Sequence, residues 1–152
     1  MKFTGEDYRQ AATEHITAAF ALYEANPAYY VLAHYIAGLA FESILRAYRY
    51  RFEEEFDEKH DLRKLYKAAR FDHIVPEKKR EEIAAARGVV VSQWQNEQRY
   101  YSEAALRAFF KRKMLDRGIK GDFVKERTRL IVTAAFDLVS LGNRQWKIPY
   151  KP

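Results

Sequence analysis

Apolar residues recur every three or four positions along most of the chain, which is the spacing of one face of an α-helix. The first such stripe comprises Tyr8, Ala12, Ile16, Ala19, Phe20 and Tyr23. Thr4 and Asp7 precede it with the spacing of a capping box, with Asp in place of the usual Glu. The pattern predicts a first helix that begins after Thr4 and ends near Asn26.

Pro27 is placed to open a second helix, where its missing N–H costs least. The second stripe comprises Tyr30, Ala33, Ala37, Ala40, Ile44, Leu45 and Tyr48. Its small residues, with Gly38, allow another element to approach closely, so we expect this helix to be buried on more than one side. The uncharged run between Glu24 and Glu42 is slightly short for a membrane span and is interpreted as a core helix.

The rest of the chain also has helical spacing. A charged connector precedes a short third helix over residues 61–70, and a loop with Pro76 leads to a fourth helix over residues 77–95. Three consecutive valines, 89–91, favour a strand, but the chain offers no partner strand, so a helix is preferred. Ser102 caps a fifth helix to about residue 117, and Asp122 caps a sixth. These elements predict an all-α antiparallel bundle of five to six helices in residues 3–142, followed by a basic, aromatic tail in residues 143–152.

Composition narrows the function only slightly. The 152 residues are 48% apolar and 15% aromatic, which favours one folded domain and excludes disorder. The absence of cysteine excludes thiolate catalysis and thiolate metal sites. The amino terminus lacks the apolar core of a signal peptide, so we expect a cytoplasmic protein without membrane association. A net charge of +6 favours polyanionic partners, although mixed surface charge serves solubility as well.

The sequence offers few candidates for a catalytic or metal-binding site. The four histidines His15, His34, His60 and His73 have no mutual spacing of metal ligands, so neither a metal nor another cofactor is expected. No nucleophile elbow, P-loop or dinucleotide fingerprint is present. The acidic cluster Glu53, Glu54, Glu55, Asp57 and Glu58 is interpreted as a solvated connector.

Two groups of residues have both a structural and a functional interpretation. Glu42 lies within the apolar second helix, with Arg46 one turn later, and forms either an internal ion pair or the carboxylate of a pocket. His60 precedes Asp61, which is placed to cap the third helix. The histidine is then either a solvated side chain or part of a site.

The stretch WQNEQRYYSE, at the joint between two apolar elements, has the same ambiguity. Arg99 can hold a phosphate bidentately, Tyr100 can stack on a base, and Asn96 can hydrogen-bond to a base edge. The alternative is that Arg99 pairs with Glu42 and only supports the joint. Trp94 is expected to pack inward.

The order of these segments resembles the HEPN superfamily of small helical prokaryotic domains. The resemblance rests on YIAGLAFESILRAY, then a charged loop, HDLRKLY, and later NEQRYYSEAALRAFF before a final amphipathic helix. Seven residues match the pattern: Glu42, Arg46, His60, Asp61, Leu62, Arg99 and Tyr100. The resemblance spans most of the chain and implies a helical bundle, a homodimer, and action on RNA or nucleotides.

One departure from the family affects the functional prediction. Its ribonuclease members carry an Arg followed four to six residues later by His, late in the fold. Here only Arg9 and His15 have that spacing, and they lie on the first helix. We therefore expect non-catalytic binding of a nucleotide or RNA. The alternatives are a metal-independent ribonuclease toxin that uses a displaced His60 or His73, and an interaction partner of a separately encoded nucleotidyltransferase.

Overall fold

The computed structural model describes residues 2–51 and 60–148. Its six α-helices are α1 (Gly5–Ala25), α2 (Tyr30–Arg49), α3 (Leu62–Ala68), α4 (Arg80–Gln93), α5 (Glu103–Arg112) and α6 (Phe123–Gln145). Short 3-10 turns precede α2 and α4, follow α3, and join α4 to α5 over Asn96–Tyr100. No strand occurs within the described ranges, and the predicted all-α bundle of five to six helices is confirmed. The acidic cluster of the connector lies outside the described residues.

The helices begin where the sequence provides caps. The Thr4 hydroxyl accepts from the Asp7 amide at 3.1 Å while the Asp7 carboxylate accepts from the Thr4 amide at 2.7 Å, so the predicted capping box is confirmed. Ser102 and Asp122 cap α5 and α6 as predicted. Each such cap contributes about 1 kcal/mol by satisfying amides that have no partner inside the helix.

The predicted end of the fifth helix near residue 117 is wrong. Helix α5 ends at Arg112, because Met114 adopts a left-handed conformation with a φ of 58°. The Leu115 amide then donates to the Phe110 carbonyl at 2.8 Å, and the Met114 amide donates to the Lys111 carbonyl at 3.0 Å. These two bonds form a Schellman motif, in which glycine is the usual residue at the left-handed position. Since a methionine occupies it here, the sequence pattern gave no signal for this end.

Two other helix boundaries differ by about one turn. Pro27 opens a 3-10 turn, and α2 begins only at Tyr30. Similarly, the predicted fourth helix starts as a 3-10 turn, and α4 proper runs over Arg80–Gln93. The valine run lies within α4, so the preference for helix over strand is confirmed.

Helix α2 forms the centre of the bundle, and most of its residues are buried. Its small-residue face lies under Trp94, since a Cβ on Gly38 would come within 1.9 Å of the indole ring. Trp94 is 4% exposed, as predicted, and its Nε1 donates to the Tyr35 carbonyl at 3.0 Å. The segment Pro27–Arg49 is long and apolar enough to cross a membrane, but most of it is buried in the bundle, as in the core helix of a soluble protein.

The start of the predicted tail belongs to the packed fold. Helix α6 continues to Gln145, and the Trp146 ring packs edge-on against Tyr48, with a centroid separation of 5.1 Å. The Trp146 Nε1 donates to the Glu6 carboxylate at 2.9 Å. The start of α1 and the end of α6 are thereby joined, and residues 149–152 lie outside the described residues.

Candidate functional site

Glu42 is the centre of a small polar cluster on α2. Its side chain is 2% exposed, and its Oε1 accepts from Arg46 at 3.0 Å and from His60 Nδ1 at 2.5 Å. The internal ion pair of Glu42 with Arg46, one of the two interpretations that the sequence left open, is thus formed. The second oxygen, Oε2, is also buried and has no hydrogen-bond partner among the described residues. A buried carboxylate needs such cationic and hydrogen-bonding partners, because an uncompensated buried charge costs several kcal/mol.

The bond to Glu42 fixes the orientation of His60. A carboxylate can only accept, so Nδ1 carries the hydrogen in this pair and Nε2 lies on the opposite edge of the ring. The side chain is 41% exposed and lines a cleft. His60 is therefore not a freely solvated side chain but an oriented imidazole with one nitrogen directed away from α2.

The cleft has a volume of about 670 Å³ and lies between the start of α3 and the end of α4. Its lining residues are His60, Asp61, Leu62, Arg63, Val91, Ser92, Trp94, Gln95, Asn96, Lys113 and Leu115. Arg63 and Lys113 supply positive charge, and both are exposed. The carboxylate of Asp61 accepts from the backbone amides of Arg63 and Lys64 at 3.1 Å each, as the predicted cap of α3. Its negative charge is therefore already engaged with the helix terminus.

Asn96, Arg99 and Tyr100 lie on the 3-10 turn that follows α4, and Arg99 and Tyr100 are not among the residues that line the cleft. Asn96 lines the cleft, and its Oδ1 accepts from the Tyr35 hydroxyl of α2 at 3.2 Å. The Arg99 guanidinium lies over the Tyr100 ring at 4.7 Å, and Tyr100 is 78% exposed. Burial raises the pKa of Tyr35, and the nearby charge of Arg99 opposes that rise. The Arg99 side chain is exposed, and its effect on the pKa of Tyr35 places its charge close to α2.

The alternative in which Arg99 pairs with Glu42 is wrong within the described part of the chain. Glu42 bonds Arg46 and His60 instead, and Arg99 stacks on its neighbour Tyr100. The sequence could not distinguish these cases, because His60 and Glu42 are 18 positions apart and no local spacing rule relates them.

Two further histidine candidates lie elsewhere. His73 lies in the 3-10 turn after α3 and does not line the cleft. His15 lies on α1, where burial lowers its pKa, and Arg9 is engaged with Glu6 at 2.5 Å. Across residues 2–51 and 60–148, no three His, Cys, Asp or Glu side chains come together as metal ligands would.

A buried polar network holds the wall of the cleft in place. The Gln93 carbonyl accepts from His34 Nε2 and from Gln98 Nε2, both at 2.8 Å, and the Gln93 side chain donates to the Arg127 carbonyl at 2.9 Å. Burial lowers the pKa of His34 to about 4, so this imidazole is neutral near pH 7. These bonds connect α2, α4, the 3-10 turn and α6, which fixes the backbone that carries Trp94 and Asn96.

Sequence inspection missed several residues of the cleft. Lys113 lines it from the C-cap position of α5, at the Schellman motif that the sequence did not indicate. Arg63 and Ser92 are ordinary polar residues on helices, without a motif of their own. The sequence could have indicated Arg63, because this residue follows the His60-Asp61 pair within one turn, at the same end of α3.

The fold and the cleft define an all-helical bundle with a polar, basic-lined pocket at its third and fourth helices. Comparison of the chain with protein-family models, curated proteins and solved structures finds no match. Membership of the HEPN superfamily therefore stays a prediction from the quoted motifs.

Proposed function

We propose that this protein binds a nucleotide or RNA through the cleft bounded by His60, Arg63, Asn96 and Lys113. The observation that carries the proposal is the arrangement of an oriented imidazole and two cations around one cavity of about 670 Å³. A cavity of this size suits a small ligand such as a nucleotide. Arg in particular matches the geometry of phosphate oxygens.

The 3-10 turn that carries Asn96 offers contacts of the kind that a base requires. Tyr100 on this turn is 78% exposed, and aromatic rings stack on unpaired bases. Arg99 lies over that ring and adds positive charge beside it. Asn96 at the cleft wall carries an amide that can both donate to and accept from a base edge.

Binding of ATP, measured by isothermal titration calorimetry, tests the proposal. Arg63→Gln, Lys113→Gln and Arg99→Ala should each weaken affinity by about tenfold, since a hydrogen bond to a charged group contributes roughly 1.5–3 kcal/mol. Lys125→Gln is the matched control, because Lys125 is an exposed cation at the start of α6, outside this cleft. Equal affinities for all four variants and the wild type would reject the cleft as the binding site.

A second function, metal-independent RNA cleavage, is favoured by one observation, the 2.5 Å bond between Glu42 and His60. A carboxylate that orients an imidazole is a recurring arrangement in acid–base catalysis. In this reaction His60 Nε2 would take the proton of a 2′-hydroxyl as the O2′–P bond forms. The same proton would pass to the departing 5′-oxygen as the P–O5′ bond breaks.

RNA cleavage in the presence of EDTA tests this second function. Activity that His60→Asn abolishes, while His73→Asn retains it, would support catalysis by His60. If the protein bound RNA but left it intact, cleavage would be rejected and binding alone would remain. Homodimerisation and association with a nucleotidyltransferase stay predictions.

A further inference from the structure

Helix α4 presents a continuous stripe of residues to a series of clefts along α3. The stripe comprises Arg80, Ile83, Ala84, Arg87, Gly88, Val91 and Ser92. These positions follow the three-and-four spacing of one helix face. The cleft already described is therefore one end of a longer surface feature.

Two smaller clefts, of about 420 and 350 Å³, continue from it. The intermediate cleft shares Arg63, Val91 and Ser92 with the first cleft, and it shares Tyr66 and Arg87 with the far one. Because neighbouring clefts share lining residues, the three form one groove, which we call the α3–α4 groove. From Arg80 to Ser92 the stripe rises by twelve residue steps, or about 18 Å at 1.5 Å per step.

The charge of the α3–α4 groove is positive. Its cations are Arg63, Arg80, Arg87 and Lys113. The two carboxylates among its described lining residues are both hydrogen-bonded, since Asp61 caps α3 and Asp72 accepts from the Tyr66 hydroxyl at 2.5 Å.

The Tyr66 ring also positions one of the cations. The Arg87 guanidinium lies over this ring at 4.6 Å, and burial raises the pKa of the phenol, so Tyr66 stays a neutral donor to Asp72. The stacked arginine is thereby held in the middle of the groove, between the cations at either end.

Gly88 lines the intermediate cleft and has no packing reason to be glycine. A Cβ added there would meet no atom within 4 Å, whereas one on Gly38 would overlap Trp94. A glycine inside a helix costs about 1 kcal/mol relative to alanine. The missing side chain leaves open space in the intermediate cleft, which has a volume of about 350 Å³.

We infer that the α3–α4 groove holds a single-stranded segment of nucleic acid, with its phosphates along the four cations and one nucleotide in the first cleft. This inference rests on the proposed function and extends it from one nucleotide to a strand. At about 3.4 Å per stacked nucleotide, 18 Å of groove accommodates on the order of five nucleotides. A single strand can follow a positively charged groove of this kind, whereas a duplex is a stiff rod.

The test compares oligouridylates of one, two, four and eight nucleotides by fluorescence anisotropy. We expect affinity to rise by at least about tenfold from one to four nucleotides, because each added base and phosphate gains contacts, and to level off thereafter. Duplex RNA of eight base pairs should bind no more tightly than the mononucleotide. The slope of log affinity against log salt should fall by about 0.7 in Arg87→Gln and should not change in Lys125→Gln.

Gly88→Leu separates the groove from the first cleft. The leucine enters open space and improves helix propensity, so the protein should fold, but its side chain should block the groove. We expect the variant to bind uridine monophosphate normally and to lose the gain from the longer strands. Ala85→Leu is the matched control, since Ala85 is exposed on α4 outside the stripe.

The two proposals fail in different ways. Binding of the mononucleotide with no gain in affinity for longer strands would overturn the groove and leave the proposed function standing. The groove would also be overturned if Gly88→Leu bound the longer strands as tightly as the wild type does. Binding of the duplex more tightly than the mononucleotide would have the same consequence. Absence of binding at every length would overturn both proposals.

Discussion

The buried imidazole of His34 should make the fold sensitive to mild acid. Its side chain is fully buried, its Nε2 donates to the Gln93 carbonyl at 2.8 Å, and its Nδ1 is buried without a hydrogen-bond partner among the described residues. Burial lowers the pKa of His34 from 6.5 to about 4. Protonation would place a charge in an apolar region next to the Phe110 ring, whose centroid is 5.4 Å from that of the imidazole.

The direction of the effect follows from where protons bind. Between pH 6.5 and pH 4, the unfolded chain protonates this histidine while the folded chain does not. The free energy of unfolding therefore has the full contribution of neutral His34 above pH 6.5 and loses it as the pH falls toward 4. Each pH unit in that window contributes about 1.4 kcal/mol, so the whole loss is about 3 kcal/mol.

Urea unfolding followed by tryptophan fluorescence at several pH values between 7 and 4 measures this loss. His34→Gln is the comparison, because a glutamine amide can donate to the Gln93 carbonyl and does not titrate. The wild type should lose about 3 kcal/mol more than this variant over the window. His15, whose pKa burial also lowers, is present in both proteins and cancels in the difference. If the free energy of unfolding changed equally with pH in the two proteins, the argument would be refuted.

Three substitutions test the packing and capping of the fold by urea unfolding. Gly38→Ala should destabilise the protein by about 3 kcal/mol and shift its tryptophan emission, because the new methyl group overlaps Trp94. An unfolding midpoint equal to that of the wild type would contradict the close packing of Trp94 on Gly38. Gly88→Ala should instead stabilise by about 0.5–1 kcal/mol, since only helix propensity changes there. Thr4→Ala should cost about 1 kcal/mol through loss of the capping box with Asp7, and no loss would mean that the cap is not formed in solution.

The fold was largely predictable because its signals are local. Capping residues such as Thr4 and Asp122 lie immediately before the helices that they cap, and the apolar stripes have helical spacing. The missed end of α5 shows the limit of such signals. Met114 takes the left-handed conformation that glycine usually occupies, so the composition at that position favours continuation of the helix.

The candidate site was only partly predictable, because its contacts are long-range. Glu42 and Arg46 are one helical turn apart, and that spacing indicated their ion pair as one of two interpretations. The bond from His60 to Glu42 joins residues 18 positions apart across the charged connector, so no local rule gives it. Lys113 joins the cleft from a third element, and nothing near it in the sequence indicates the residues that it faces.

Three departures from local preference occur in the lining of the α3–α4 groove or in contact with it. Gly88 weakens the middle of α4 without a packing reason, and Met114 holds a left-handed conformation between two residues that line the first cleft. Glu42 buries a carboxylate oxygen without a hydrogen-bond partner in the described residues and fixes His60 at the cleft. Each feature costs stability, and proteins keep such costs mainly where function requires them. Their convergence on the α3–α4 groove, which no single motif could indicate, makes this surface the place where function should be tested first.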